Sequence, residues 1–397
     1  MNQTTSAERI HIGFFGLRNA GKSSLVNVIT GQELAVVSDV KGTTTDPVKK
    51  AMELLPLGPV VIIDTPGIDD EGALGELRVK KARQVLNYTD IAILVTDATT
   101  TFSPEEQNLV ALFQKKEIPY LIVRNKSDLL KQGTADVWES EQQEQFLCVS
   151  TITKENIETL KNRIAAIGMQ KENNKKIVSD LIASKDIVVL VTPIDKSAPK
   201  GRLILPQQQT IRDILDAGAI AMVTKETELQ ETLDSLKYPP KMVITDSQAF
   251  KKVAAIVPKE IPLTSFSILF MRYKGSLESM AAGAQVLEAL EDGDKILISE
   301  GCTHHRQCGD IGTEKLPNWI RAYSGKKVEF IFTSGMEFPE ELDSYRLIIH
   351  CGGCMLNERE MQYRIRQAKD QGIPITNYGV SIAKMNGILE RSLELFK

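Results

Sequence analysis

Cysteine, histidine and tryptophan are scarce in this chain, at five, four and two among 397 residues, and aromatic residues make up only 6%. So few thiols draw no disulfide framework, and an odd count points instead to metal ligation or redox chemistry in a reducing compartment. A chain of this length needs no staples either. At roughly 150 residues per domain it has room for two or three domains, each with its own core. Positive charge is not in excess: 48 Lys+Arg face 52 Asp+Glu, a net charge of -4. That balance lacks the basic surplus of a nucleic-acid binder, so nucleic acid is not an expected partner. Long apolar runs are missing too, and no membrane span is expected. The opening MNQTTSAERI carries neither the basic start nor the apolar stretch of a secretion signal, so a cytoplasmic location is expected. With 42% hydrophobic and 25% charged residues, a soluble globular protein is expected and disorder is not.

What little Cys and His there is lies together. The nine residues are Cys148, Cys302, Cys308, Cys351, Cys354, His11, His304, His305 and His350, and seven of them fall in the 53 residues from Cys302 to Cys354. His11 and Cys148, outside that window, read as packing or surface residues.

The hydrophobic pattern is that of an α/β protein. IHIGFF (10–15), VVIIDTPG (60–67), IAILVTDA (91–98) and YLIVRNKSD (120–128) are β-rich runs separated by polar sequence of helix length, which implies a mostly parallel sheet covered by helices. KENNKK (171–176) is a charged, Asn-rich break where a first boundary is expected. Beyond it IVVLV (187–191), AIAMV (219–223), KMVIT (241–245) and SFSIL (265–269) read as strands, with helices near QTIRDILDAG and QAFKKVAAIV. A third block holds a helix SLESMAAGAQVLEAL, strands KILISEG (295–301) and RLIIH (346–350), a helix from about Leu356 to Lys369, and IPIT. No repeat of fixed period is present.

Gly16-Leu17-Arg18-Asn19-Ala20-Gly21-Lys22-Ser23 fits the pattern G-x-x-x-x-G-K-S between a strand and a helix, the signature of a P-loop. Its glycines let backbone N–H groups wrap a phosphate at a helix N-terminus. Lys22 is expected to reach the β- and γ-phosphates, and Ser23 to give Mg²⁺ a hydroxyl oxygen, with Ala20, Gly21 and Ser24 completing the cradle. Asp64-Thr65-Pro66-Gly67 ends a strand at the same sheet edge, which puts Asp64 beside the Mg²⁺ and the Gly67 N–H near the γ-phosphate. Asn125-Lys126-Ser127-Asp128 ends another. A carboxylate there accepts both the N1–H and the exocyclic amine of guanine, so Asp128 argues for GTP over ATP; Asn125 holds loop and base, and the Ser150 N–H is expected at guanine O6. Ile68 stands where Ras-like enzymes keep the glutamine that orients water, so intrinsic hydrolysis is expected to be slow. Asp69, Asp70 and Glu71 read as a solvated acidic loop.

The late cluster is Cys302-Thr303-His304, then His350-Cys351-Gly352-Gly353-Cys354, each half after an apolar strand. Were those strands parallel neighbours, Cys302 and Cys351 would emerge together at the edge where α/β folds bind ligands. Gly352 and Gly353 permit a tight turn, and Cys354 stands ahead of a helix whose dipole favours a thiolate. Three thiolates with a variable fourth position suit a 4Fe-4S cluster, while Cys₃His suits structural zinc, and spacing alone does not separate them. His304 and His350 are candidate ligands or tuning groups; His305 is weaker, and Cys308 is either an extra ligand or a bystander.

On the P-loop, DTPG and NKSD motifs, residues 9–170 resemble the TrmE-Era-EngA-like GTPases. That resemblance makes Gly42-Thr43-Thr44-Thr45-Asp46 the first switch, with Thr44 a Mg²⁺ ligand in the GTP state, and Asn19 a ligand of K⁺. The order of GTPase, middle α/β segment and C-x-H followed by H-C-x-x-C resembles the HydF family, GTPases that mature FeFe hydrogenase. The resemblance implies three domains: a P-loop GTPase domain (1–174), a small α/β dimerisation domain (175–265) and an α/β domain (266–397) carrying a 4Fe-4S cluster on Cys302, Cys351 and Cys354. It further implies a homodimer or higher oligomer that, with the radical-SAM maturases HydE and HydG, holds a two-iron precursor bearing CO and cyanide and passes it to apo FeFe hydrogenase. The fourth cluster ligand stays open among Cys308, Asp310, a histidine and an exogenous group. The reading set against this one is a regulatory GTPase of ribosome assembly or tRNA modification with a structural zinc module.

Overall fold

The computed structural model describes residues 6–31, 47–68, 73–130, 146–170, 175–194, 203–302 and 310–396. Contacts divide the chain into two compact units, meeting between Asn173 and Asn174. Among the described residues no helix is long and apolar enough to cross a membrane.

The first unit is built on β1 (Ile10–Phe15), β2 (Val48–Leu54), β3 (Gly58–Asp64), β4 (Ile91–Asp97), β5 (Tyr120–Asn125) and β6 (Phe146–Cys148), ordered β2-β3-β1-β4-β5-β6. Only β2 runs antiparallel to its neighbour, β3. The near-continuous apolar runs of β1, β3 and β4 are buried on both faces, as a helix-covered parallel sheet requires. Helices α1 (Lys22–Thr30) and α4 (Ile157–Gln170) cover one face through Leu25, Ile29, Leu160 and Ile164. Helices α2 (Ala73–Leu86) and α3 (Pro104–Lys115) cover the other through Leu86, Leu109 and Phe113. The start of α3 is set by a full capping box: Ser103 accepts from the Glu106 N–H, and Glu106 accepts from the Ser103 N–H.

The second unit holds two four-stranded parallel sheets. The first contains β7 (Ile187–Val191), β8 (Ile220–Thr224), β9 (Met242–Thr245) and β10 (Leu263–Ser265) in the order β10-β9-β7-β8. The second contains β11 (Lys295–Glu300), β12 (Glu329–Ser334), β13 (Leu347–His350) and β14 (Ile375–Asn377) in the order β12-β11-β13-β14. Around them lie α5 (Leu205–Asp216), α6 (Leu229–Asp234), α7 (Phe250–Ile256), α8 (Phe266–Lys274), α9 (Leu277–Ala284), α10 (Leu316–Ser324), α11 (Glu358–Asp370), α12 (Tyr378–Met385) and α13 (Leu389–Leu393). One apolar cluster runs from Val189 and Val243 of the first sheet to Ile296 and Ile298 of the second, so the two sheets share a core.

SFSIL is not a strand. Only Leu263–Ser265 extends, and Phe266 begins α8 because the Ser265 hydroxyl accepts from the Ile268 N–H and caps a helix. An apolar run buried on all sides has no periodicity to tell helix from strand, and here the cap decides. The mixed strand Glu329–Ser334, half-buried along most of its length, is an edge strand without the apolar run that betrays a buried one.

Candidate functional site

Three loops meet at the C-terminal edge of the first sheet. The P-loop leaves β1 through Gly16 at φ 142° and enters α1 through Gly21 at φ 89°. Only glycine fits either place. A Cβ on Gly16 would lie 2.1 Å from the Val95 carbonyl oxygen, and one on Gly21 would lie 2.1 Å from Asn125 Nδ2. Asn19 takes the left-handed conformation at φ 59°, which asparagine tolerates better than most residues. Lys22 is buried, and its ammonium donates to the Gly16 and Leu17 carbonyls at 3.0 and 2.7 Å.

Ser23 Oγ donates to Asp64 Oδ2 at 2.6 Å. The other oxygen, Oδ1, is buried with no hydrogen-bond partner among the described residues. Burial pushes the Asp64 carboxyl above its usual range, against the pull of Ser23 and Lys22. A buried carboxylate oxygen left open beside a serine hydroxyl is a donor set for a hard cation. The DTPG turn is pinned by Thr65, whose hydroxyl and N–H both donate to the Phe14 carbonyl at 2.6 and 3.3 Å.

Asn125 is 1% exposed and ties loops together: its Nδ2 donates to the Ala20 carbonyl, and its Oδ1 accepts from the Thr151 N–H. Lys126, at φ 68°, pairs with Asp97 at 2.6 Å. The Ser150 N–H is bonded to the Glu155 carbonyl, whereas its hydroxyl donates to Asp128 Oδ1 at 2.5 Å and accepts from the Ile152 and Thr153 N–H groups. Ser150 thus holds the Asp128 carboxylate through its hydroxyl. Thr44, Asp69, Asp70 and Glu71 lie outside the described residues. His11 is a packing residue, as read from the sequence: it is buried, bonded to the Tyr88 carbonyl and to Ser6 Oγ.

The second candidate site lies in the second unit. Strands β11 and β13 are adjacent and parallel, with Ser299 opposite His350, so the segments carrying Cys302 and Cys351 leave one sheet edge side by side. The Gly301 N–H points at Cys351 Sγ at 3.0 Å and the Gly353 N–H at 3.4 Å. Gly353 makes the turn at φ 65°. The Cys351 thiol is pushed up to about 12 by burial first and then by the nearness of Cys354 and Cys302. All three are free cysteines. Burial also raises the Cys354 thiol, opposed by Lys274. The expected helix dipole is more distant, since α11 starts only at Glu358 after its Asn357 cap; the nearby positive charge is an ammonium instead. Among the described residues no three His, Cys, Asp or Glu side chains stand close enough to hold a single metal ion. His304, His305 and Cys308 lie outside the described residues.

His350 is not placed to ligate. Its ring is fully buried, Nδ1 lies 2.8 Å from the Cys351 carbonyl oxygen, and Nε2 lies 2.9 Å from Arg364 Nη1. A guanidinium only donates, so Nε2 accepts and Nδ1 carries the proton. Burial, and then Arg364, push the imidazole down to about 3, which keeps it neutral. Arg364 is itself fully buried, donating to Glu360, Ser299 Oγ and the Gly335 carbonyl. On the opposite flank, Tyr378 OH donates to Glu300 Oε1 at 3.1 Å. Asp310 caps the turn that follows, accepting from the Thr313 N–H and hydroxyl. Sequence reasoning missed Lys274, Arg364, Glu300 and Tyr378. Each is an ordinary residue in an ordinary helix or strand until the fold buries it.

Comparisons with known proteins match three successive stretches of the chain. Residues 278–395 match the hydrogen maturase F tetramerization domain, residues 177–275 the hydrogen maturase F dimerization domain, and residues 11–126 a family described as 50S ribosome-binding GTPase. GTPase Der of Wolinella succinogenes is 32% identical over 190 residues, 45% of this chain and 39% of that protein. The tRNA modification GTPase MnmE of Desulforamulus reducens is 38% identical over 117 residues, 29% of this chain and 25% of that protein. The chain thus spans less than half the length of these curated relatives. A solved structure of Aquifex aeolicus Era is 16% identical, covering 82% of this chain and 93% of that one at a TM-score of 0.36, a score at which likeness carries no functional argument. The two hydrogen maturase F matches take up more than half of the sequence in unbroken order behind the GTPase domain, and the chain belongs to the hydrogen maturase F family.

Proposed function

We propose that this protein binds and hydrolyses GTP and serves as a scaffold in FeFe-hydrogenase maturation, holding a 4Fe-4S cluster on Cys302, Cys351 and Cys354. In this reading it carries the two-iron H-cluster precursor, made with HydE and HydG, to apo FeFe hydrogenase. The observation that carries the proposal is the parallel β11–β13 pair, which brings the Cys302 and Cys351 segments to one sheet edge in a chain whose front end has a P-loop. Two backbone N–H groups aimed at one sulfur suit a thiolate better than a thiol, and a thiolate is the iron ligand. A cubane takes one thiolate per iron, a wider spread than a single zinc ion demands. Bound there, the cluster would supply an iron corner open to exchange.

At the nucleotide end, Ser23 and Asp64, with Thr44, would hold Mg²⁺, which neutralises charge on the β- and γ-phosphates. Gly16, Ala20, Gly21, Ser24 and Gly67 would line the phosphates, and Asp128, aimed by Ser150, would select guanine. With Ile68 in place of a water-orienting glutamine, hydrolysis leans on charge at the phosphates. Asn19 is the candidate K⁺ ligand. Replacing K⁺ by Na⁺ at constant ionic strength should slow steady-state GTP hydrolysis, and an unchanged rate would remove K⁺ from the reading.

Self-association of the chain has a surface suited to it. β8 is an edge strand, and its Ile220 and Val223 are 49% and 45% exposed, the kind of unpaired apolar edge that proteins cover by pairing.

Anaerobically prepared protein should contain iron and acid-labile sulfide and should activate precursor-free hydrogenase once loaded by the maturases. Zinc without sulfide would instead favour the regulatory GTPase with a structural zinc module.

A further inference from the structure

The cysteine turn is built around a buried ammonium. Lys274, the last residue of α8, is 3% exposed, and its Nζ donates to the Leu356 carbonyl at 2.9 Å and lies 3.4 Å from that of Cys354. Its own carbonyl is held in turn, with that of Gly275, by Gln362 Nε2 of α11 at 3.1 Å. The position is therefore fixed from two elements. The same Nζ lies 5.9 Å from the centre of the Phe270 ring on its own helix. The charge acts on the Cys354 thiol, whose rise it opposes, and Cys354 lies in the same turn as Cys351. On the other flank stand Glu300, Asp310 and Tyr378, the tyrosine feeling both carboxylates and Cys351.

We propose that Lys274 is a positioning residue that supplies a fixed positive charge to the thiolate-held iron-sulfur cluster and raises its reduction potential. The inference rests on the cluster reading above. Adding an electron to a cluster ligated by three thiolates increases its negative charge, so a nearby cation in a shielded site favours the reduced state. Neither the turn geometry nor the ammonium takes part in bond making; the effect is electrostatic.

The test is a redox titration of the anaerobically reconstituted full chain, followed by the EPR signal of the reduced cluster. Iron and sulfide are counted in each sample. Lys274→Met removes the charge and keeps the stem. Lys274→Gln removes the charge but keeps N–H donors for the two carbonyls, and decides the matter should the methionine variant fail to fold. Lys274→Arg keeps the charge. In Met and Gln variants loaded like wild type, the ratio of reduced to oxidised cluster at a fixed poise should fall about tenfold, equal to about 59 mV for one electron; the Arg variant should stay close to wild type. A midpoint unchanged in the loaded Gln variant overturns the proposal, because a purely structural lysine predicts that result. Wild type that takes up no iron and sulfide instead refutes the cluster reading on which the inference stands.

Discussion

Truncation of Arg364 to alanine is expected to destabilise the second unit by about 3–5 kcal/mol, the usual consequence of removing one partner of a buried ion pair, while nucleotide binding by the first unit persists. Arg364 is fully buried and Glu360, its partner at 2.8 Å, is 3% exposed. Removing the guanidinium strands a carboxylate in the interior, and leaves the Gly335 carbonyl and His350 Nε2 without their donors. It also opens a cavity against Phe338, whose ring the guanidinium faces at 5.0 Å. Lysine is a poor substitute because a single ammonium cannot reach four acceptors set around a planar fork. Urea unfolding followed by circular dichroism reads the stability, and binding of a fluorescent guanine nucleotide reads the first unit. Replacing both members of the pair, Glu360→Leu with Arg364→Met, should cost less than the two single changes added together, since no buried charge is then left alone. Through His350, which bonds the Cys351 carbonyl, the same network sets the backbone at the cysteine turn.

Lys22→Ala should lower single-turnover GTP hydrolysis about 10²–10³-fold, the range found when one preorganised donor to developing charge is removed, with iron and sulfide content unchanged. The ammonium donates to two loop carbonyls, Gly16 and Leu17, from a buried position, where it is already dehydrated and aimed. Loop shape does not depend on it alone, since Gly16, Gly21 and Asn125 set the backbone through contacts too close for any side chain. Loss of Lys22 also removes a charge that steadies the Asp64 carboxylate, which compounds the effect on metal binding. Cys302→Ser should do the converse, abolishing cluster loading and hydrogenase activation while GTP is still hydrolysed, because the two sites lie in separate units with separate cores. Equal loss of both activities in either variant would contradict independent sites.

At the P-loop end the backbone turns are legible in the sequence. P-loop, DTPG and NKSD motifs are short, and each motif's shape follows from local chemistry: glycines where φ is positive, a strand before and a helix after. What the motifs could not say is how they brace one another. Ser150 braces Asp128 through its hydroxyl, while the Glu155 carbonyl, in the next turn, takes its N–H. The cysteine-bearing edge is legible in the sequence as a cluster of rare residues, yet the role of His350 is not. Its spacing beside Cys351 suits a ligand, and only a guanidinium from α11 shows that its second nitrogen is spoken for.

By itself the sequence determined the α/β class, the apolar parallel strands of the sheet interiors, the phosphate loop and the placing of two cysteine-bearing segments after apolar strands, since all of these are written in periodicity and short motifs. Tertiary structure alone decided that SFSIL turns into a helix, that β11 and β13 lie side by side, and that Lys274 and Arg364 are buried. Arg364 is one of three arginines in EREMQYRIRQAKD, indistinguishable by pattern from Arg359 and Arg366. Burial of a charge depends on groups that reach it from distant parts of the chain, here Ser299, Gly335 and His350, and no local rule carries that information.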